Sequence, residues 1–195
     1  MTTPPAFRPL YLEAPRLVLR HFRADDAPSL HRYRNDPEVA RFQGWTPPDE
    51  AEARAFVAQE SRQPPAVPNQ WLQLALELRS GEHMGEYTGE HVGDVAFKTD
   101  GAGGAEFGYS LARDVQGRGY MTEAVERLLE YLFGELELHR VVAHADVRNE
   151  ASVRLLERVG LRREGHFVES HFLRGEWTSE YAYALLAREW KERRS

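Results

Sequence analysis

The sequence predicts an α/β (α+β) fold: one sheet with helices on both sides. Three observations predict it. Seven β-prone runs and four helical runs follow one another as strand, two helices, three strands, helix, strand, helix, two strands. The length, 195 residues, suits one domain with a sizeable core. Near the middle, a strand turns through glycines directly into the most periodic helix of the chain.

The elements follow in order. Residues 1–9 are rich in Pro and Thr and read as a flexible tail ahead of a single domain over 10–195. Leu17–Arg20 is the first strand. Asp25 is placed to cap a short helix to Tyr33, and Asn35-Asp36-Pro37 breaks it. Asp49 caps a second helix running to about Glu60. Trp71–Leu78 alternates as a strand, 79–91 is a charged and glycine-rich connector, and Val92–Lys98 is the third strand. Asp100–Gly104 is a hairpin turn leading to a fourth strand, 105–111.

The next helix places Val125, Leu128, Leu129, Leu132, Phe133 and Leu136 on one face. Val141–His144 is a fifth strand. Asn149 caps a helix to Val159, with Gly160 just past its end. Leu161–Val168 and Tyr181–Leu186 close the sheet, and 187–194 is a charged helical tail.

Composition limits the chemistry. The chain has no cysteine, which excludes disulfides, thiolate metal sites and a cysteine nucleophile. The net charge of -6 argues against general nucleic-acid binding. No apolar run reaches the ~20 residues of a membrane helix, and the expected compartment is the cytoplasm. The histidines show no ligand spacing, so no metal is expected; His83 and His91 could at most meet across the 79–91 connector.

The chemical signal is Gln116-Gly117-Arg118-Gly119-Tyr120-Met121-Thr122-Glu123-Ala124. Glycines let the backbone come close to a ligand, and the first N–H groups of a helix are unpaired and partly positive. This is a diphosphate cradle in outline, or else an ordinary glycine turn that serves only to change the direction of the chain. It fits neither G-x-G-x-x-G nor G-x-x-x-x-G-K-[ST].

With these residues assembled, the chain resembles the GNAT N-acetyltransferases, and within them the ribosomal-protein-alanine (RimJ/RimL-like) branch. The resemblance rests on Glu13–Phe22, Asn35–Arg41, Asn149–Ser152 and Glu157–Gly165, in that order, and spans Pro15 to Leu186. It implies a mostly antiparallel sheet of about seven strands, splayed between the fourth and fifth, and direct transfer of acetyl from acetyl-CoA to an amine. The amine would be a protein N-terminus or a small molecule. Transfer of another short acyl group such as succinyl, or a non-catalytic CoA-sensing role, are the alternatives.

The family cradle pattern appears as Gln116-x-x-Gly119-x-Met121, with methionine where the family has Gly or Ala; its side chain is expected to turn outward. The resemblance implies that Gln116, Gly117, Arg118, Gly119, Tyr120, Met121 and Thr122 hold the diphosphate. Tyr109, Ser110 and Leu111 at the splayed strand, with Asn149, would meet the pantetheine arm. Ser152 would hydrogen-bond the sulfur or simply satisfy its helix start.

Candidates for taking the amine proton are Glu106 first, then His144 with Asp146 orienting it; a water route stays open. Phe42, Trp45, Trp71, Trp177, Glu180 and Tyr181 border the implied acceptor site. The connector could extend its hairpin, contact a second copy in a homodimer, or cover the acceptor cleft.

Overall fold

A computed structural model of the chain describes residues 9–80 and 86–194. Eight strands form one sheet: β1 (Tyr11–Glu13), β2 (Leu17–Arg20), β3 (Leu72–Ser80), β4 (Glu86–Thr99), β5 (Gly104–Leu111), β6 (Arg140–Asp146), β7 (Arg162–Leu173) and β8 (Glu176–Leu186). Their spatial order is β1-β2-β3-β4-β5-β6-β8-β7. Every neighbouring pair is antiparallel except β5 and β6, which run parallel. The mixed, mostly antiparallel sheet flanked by helices is the architecture the sequence predicts. The added strand is β1, three residues long and too short to carry a pattern of its own.

The parallel pair is brief. Gly104, Ala105 and Glu106 lie against Arg140, Val141 and Val142, and there the pairing stops. Beyond it β5 stays with β4 as far as Leu111, while β6 stays with β8 as far as Asp146. The two strands therefore part, and the gap between them joins the two faces of the sheet. This is the expected splay, counted one strand later because of β1.

One face is covered by α4 (Tyr120–Glu130) and α5 (Glu150–Arg158). Val125, Leu128, Leu129 and Leu132 are fully buried there, each contributing roughly 1.5–3 kcal/mol of hydrophobic stabilisation. The helix does not run evenly to Leu136: residues 131–135 widen into a π turn, closed by Leu136 N–H to Tyr131 O at 3.0 Å.

The other face carries α1 (Ala27–Arg34), α2 (Pro37–Ala40) and α3 (Glu50–Glu60); α1 and α3 lie over β2 to β4, and the Ala40 carbonyl of α2 accepts from Arg174 Nε of the β7–β8 turn at 2.9 Å. The predicted Asp49 cap of α3 is present, its Oδ1 accepting from Glu52 N–H. Asp25 caps nothing; a short 3₁₀ turn over 24–26 precedes α1. The expected break at Asn35-Asp36-Pro37 is present, α1 ending at Arg34, and the same residues also start the short α2, with Asp36 as cap and Pro37 in its first turn. α6 (Ala187–Arg194) closes the chain by packing Trp190 on Phe133.

A buried polar network fixes α1 to the sheet. Asp94 accepts from Tyr33, from Arg34 Nη2 at 2.7 Å and from Gln73 Nε2 at 2.7 Å. Burial and the Asp94 carboxylate hold the Tyr33 phenol well above its ordinary pKa. Removing one member of such a buried pair costs about 3–5 kcal/mol, because the remaining charge has no water to turn to.

The 79–91 segment extends its hairpin, one of the roles the sequence left open for it. It is largely strand: β3 runs on to Ser80 and β4 begins at Glu86, with Arg79 facing Tyr87 and Ser80 facing Glu86. His83 and the rest of 81–85 lie outside the described residues, as do residues 1–8 of the expected tail. His91 is buried between Phe22 and Tyr33 with Nδ1 against Ser29 Oγ, so its ring is enclosed beneath α1 rather than offered in a connector. No described helix is long and apolar enough to cross a membrane.

Candidate active site

The glycine segment lies where the sequence places it. Gly119 precedes α4 with φ 82°, and no side chain caps the helix. Gly117 has φ 76°. Both values favour glycine, because a Cβ there would crowd the backbone. The N–H groups from Gly117 to Thr122 have no partner within the described residues. Such groups need an acceptor from elsewhere.

Gly117, Gly119, Tyr120, Met121 and Thr122 line a cleft of about 830 Å³. Gln116 Nε2 donates to Leu111 O at 2.9 Å and so ties the turn to the end of the splayed strand. Arg118 is the exception among the predicted cradle residues. Its side chain turns back to the Asp114 carbonyl at 3.0 Å and stays out of the cleft lining. Met121 departs from expectation too: its side chain is 6% exposed and joins the core. Its place in the first turn of α4, on the face toward the sheet, draws it inward.

The second helix start on the cleft differs. Asn149 Oδ1 accepts from Ser152 N–H at 3.1 Å, so α5 is capped. Ser152 Oγ meets the Tyr109 hydroxyl at 2.6 Å, reaching across from α5 to β5. Burial pushes the Tyr109 phenol up to about 12, so it keeps its proton across the neutral range. Tyr109, Ser110, Leu111, Asn149 and Ser152 all line the cleft. Ser110 is 4% exposed and its Oγ has no partner, an unsatisfied donor at the end of the splayed strand.

On the opposite face, where α1 to α3 do not reach, ionisable side chains gather. By strand alternation Glu106 points away from Phe107 and Tyr109. Its Oε1 lies 3.5 Å from His144 Nδ1, and its Oε2 lies 3.3 Å from Lys98 Nζ. The His144 hydrogen bond, then Lys98, hold the Glu106 carboxyl below its ordinary range against the opposing effect of burial. In turn the Glu106 hydrogen bond raises the His144 imidazole. Lys98 also sits over the Trp71 ring at 4.9 Å, and His144 lies 6.4 Å from the Phe167 ring.

Asp146 does not orient His144. It is buried and taken up by Arg148, whose N–H, Nε and Nη2 all donate to it within 2.7–2.9 Å. The Arg148 bonds hold the Asp146 carboxyl low although burial pushes the other way.

The remaining aromatic and acidic candidates divide. Phe42 lines the cleft. Trp45 packs on Phe56 at 4.7 Å, away from that lining. Glu180 faces Asp146 across β6 and β8, and its charge contributes to raising His144. Tyr181, one residue on, alternates to the other face and packs on His166 at 5.0 Å and under Arg163. Trp177 pairs with Phe172 near the end of the β7–β8 hairpin.

Several cleft residues carried no sequence signal. Glu38, Val39, Arg41 and Gln43 form a wall because the chain after α1 returns across the mouth. Arg34 Nη1 donates to Gln43 Oε1 at 2.9 Å and links that wall to the Asp94 network. Arg154 and Arg158 could have been found: they stand four apart on the helix that Asn149 begins, hence on one face.

The donor set fits the elongated, anionic form of coenzyme A. Unpaired N–H groups at an uncapped helix start suit a diphosphate, and the cleft leads from them to the unpaired edge of β5. Comparison with known proteins agrees. Residues 16–162 match the acetyltransferase (GNAT) domain model. The uncharacterized N-acetyltransferase p20 of Bacillus licheniformis is 31% identical over 186 residues, covering 93% of this chain and 97% of p20. The crystal structure of a GNAT-family acetyltransferase from Bacillus anthracis superimposes with a TM-score of 0.78 at 29% identity, over 92% of this chain and 99% of that one. Mycobacterium smegmatis RimJ in complex with CoA-disulfide gives 0.74 at 25% identity, over 93% and 88%. With the splayed sheet and the cleft, these matches show that the chain belongs to the GNAT family and is an acetyl-CoA-dependent acetyltransferase.

Proposed function

We propose that the acceptor is a primary amine, a protein N-terminus or a small molecule, as in the ribosomal-protein branch of the family, and that it meets the acetyl donor in the gap between β5 and β6. The supporting observation is the pairing of two sites across that gap. Unpaired backbone donors and the Tyr109–Ser152 pair stand on one face, and the Glu106–His144 pair stands on the other. The M. smegmatis RimJ structure, with its CoA-disulfide, supports the cleft as the donor site.

Acetyl-CoA bound in the cleft supplies the acetyl group as a thioester. The chain's residues handle the protons. Attack needs the amine neutral, so one proton must leave its nitrogen. His144 suits that task better than Glu106, because Glu106 raises its basicity while Lys98 and His144 lower that of Glu106. Glu106 fixes the Nδ1 edge, leaving Nε2 to accept. Ser152 Oγ, backed by the Tyr109 hydroxyl, donates a hydrogen bond to the departing sulfur as its negative charge develops. The Ser110 hydroxyl and the free backbone of β5 provide donors for the charge developing on the carbonyl oxygen. A cytoplasmic site of action fits the cysteine-free composition.

The test is free-thiol release from acetyl-CoA across peptides, amino acids, polyamines and aminoglycosides. Release with at least one amine class is expected. Binding of CoA without release from any amine would overturn catalysis in favour of sensing, and faster release from succinyl-CoA would overturn the acetyl assignment.

A further inference from the structure

Arg16 lies in the turn between β1 and β2, more than a hundred residues from the glycine segment in sequence, yet it grips that segment. Its backbone N–H donates to Glu123 Oε1 at 2.6 Å and its Nε to Glu123 Oε2 at 2.7 Å. Its Nη1 donates to the Arg118 carbonyl at 3.0 Å. The guanidinium lies 4.7 Å from the centre of the Tyr120 ring, and Nη2 sits 3.2 Å from where a Cβ on Gly119 would stand. Arg16 is itself anchored, its carbonyl accepting from Arg79 N–H at 2.9 Å.

Two physical consequences follow. A trans peptide points its C=O and N–H in opposite directions within one plane. With the Arg118 carbonyl held outward by Arg16, the N–H of Gly119 faces the other way, toward the cleft that Gly119 lines. Gly119, which contributes the N–H of this peptide, and Gly117, just before Arg118, both have positive φ, and glycine backbone has much freedom to lose. An external hold is what keeps that N–H aimed. Next, Glu123 stands in the first turn of α4, where its negative charge opposes an anion at the same helix start. Arg16 engages both of its oxygens and cancels that charge.

We propose that Arg16 is a positioning residue for the donor: it orients the Arg118–Gly119 peptide and neutralises Glu123, and thereby sets affinity for the diphosphate of coenzyme A. The inference rests on the cleft being the donor site.

Calorimetric titration with CoA tests it, using wild type, Arg16→Ala, Arg16→Lys and, as control, Arg127→Ala. Arg127 ties the same β1 segment to the same helix through the Glu13 carbonyl, but touches neither Gly119 nor the Arg118 carbonyl. Expected is about a tenfold rise in the Kd of CoA for Arg16→Ala, the scale of one charge-assisted hydrogen bond. Arg16→Lys, which keeps the charge but not the fork, should fall between. Arg127→Ala should stay within about twofold of wild type even where its melting temperature drops as far. Adding Glu123→Gln to Arg16→Ala should recover part of the loss. Unchanged CoA affinity in Arg16→Ala, or an equal loss in Arg127→Ala, overturns the positioning role alone. Failure of the wild type to bind CoA overturns the donor site along with it.

Discussion

The two sides of the gap between β5 and β6 are built from different materials. On the α4–α5 side the working groups are mostly backbone: N–H groups of residues 117–122 and the free edge of β5. On the open side they are ionisable side chains, Lys98, Glu106 and His144, each held by its neighbours. The first side depends on conformation and is insensitive to pH. The second depends on protonation. The two helix starts on the cleft repeat the lesson on a smaller scale. α5 is capped by Asn149 and its N–H groups serve the fold, whereas α4 is left uncapped and its N–H groups remain available.

Substitutions on opposite sides should therefore separate binding from turnover. The largest effect is expected for His144→Ala: kcat should fall on the order of a hundredfold or more while the Kd of CoA barely moves, since removal of a general base has that scale. Steady-state kinetics beside calorimetry reads both, and a fall in CoA affinity instead would erase the division between the sides. Gly119→Val should do the converse. A β-branched residue at φ 82° is strained, and about fiftyfold or greater weakening of CoA binding should follow. Ser152→Ala should lower kcat roughly tenfold, about the worth of one hydrogen bond to a developing charge.

Glu106→Gln sharpens the pH argument. If neutral His144 takes the proton, activity rises with pH as the imidazole loses its own. In the wild type that limb lies above the ordinary imidazole range, because Glu106 raises the group. Without the carboxylate the limb of kcat/KM should move to lower pH, and a limb that stays put would remove His144 from the role. The smallest effect is expected at the capped helix. Asn149→Ala should cost about 1 kcal/mol of stability in a denaturant titration, with a modest change in CoA affinity. A loss of affinity matching that of Gly119→Val would mean that the two helix starts are equivalent after all.

The glycine turn and uncapped start of α4 were legible because glycine at a helix start leaves a local mark, and so were the amphipathic α4 and the Asn149 cap. The open-face pair was legible only as separate residues. Alternation gave the face of Glu106, but its distance from His144 depends on the register of β5 against β6. The Asp146 suggestion failed for a related reason: alternation gave the right face, and Arg148, two residues on, claimed the carboxylate. Of the wall from Glu38 to Gln43 only Phe42 left a mark; the rest left none, because a chain reversal brings it to the cleft.

By itself the sequence determined the order of elements apart from β1 and α2, the glycine start of α4 and the residue types available for proton transfer. These depend on local geometry and on periodicities of two and 3.6 residues, which any window of the chain displays. Only the tertiary structure decided that β5 and β6 part after three residue pairs, that Tyr109 meets Ser152, and that Arg16 reaches the glycine turn ahead of α4. Those contacts join residues tens to more than a hundred positions apart, and long-range packing, rather than any local preference, brings them together.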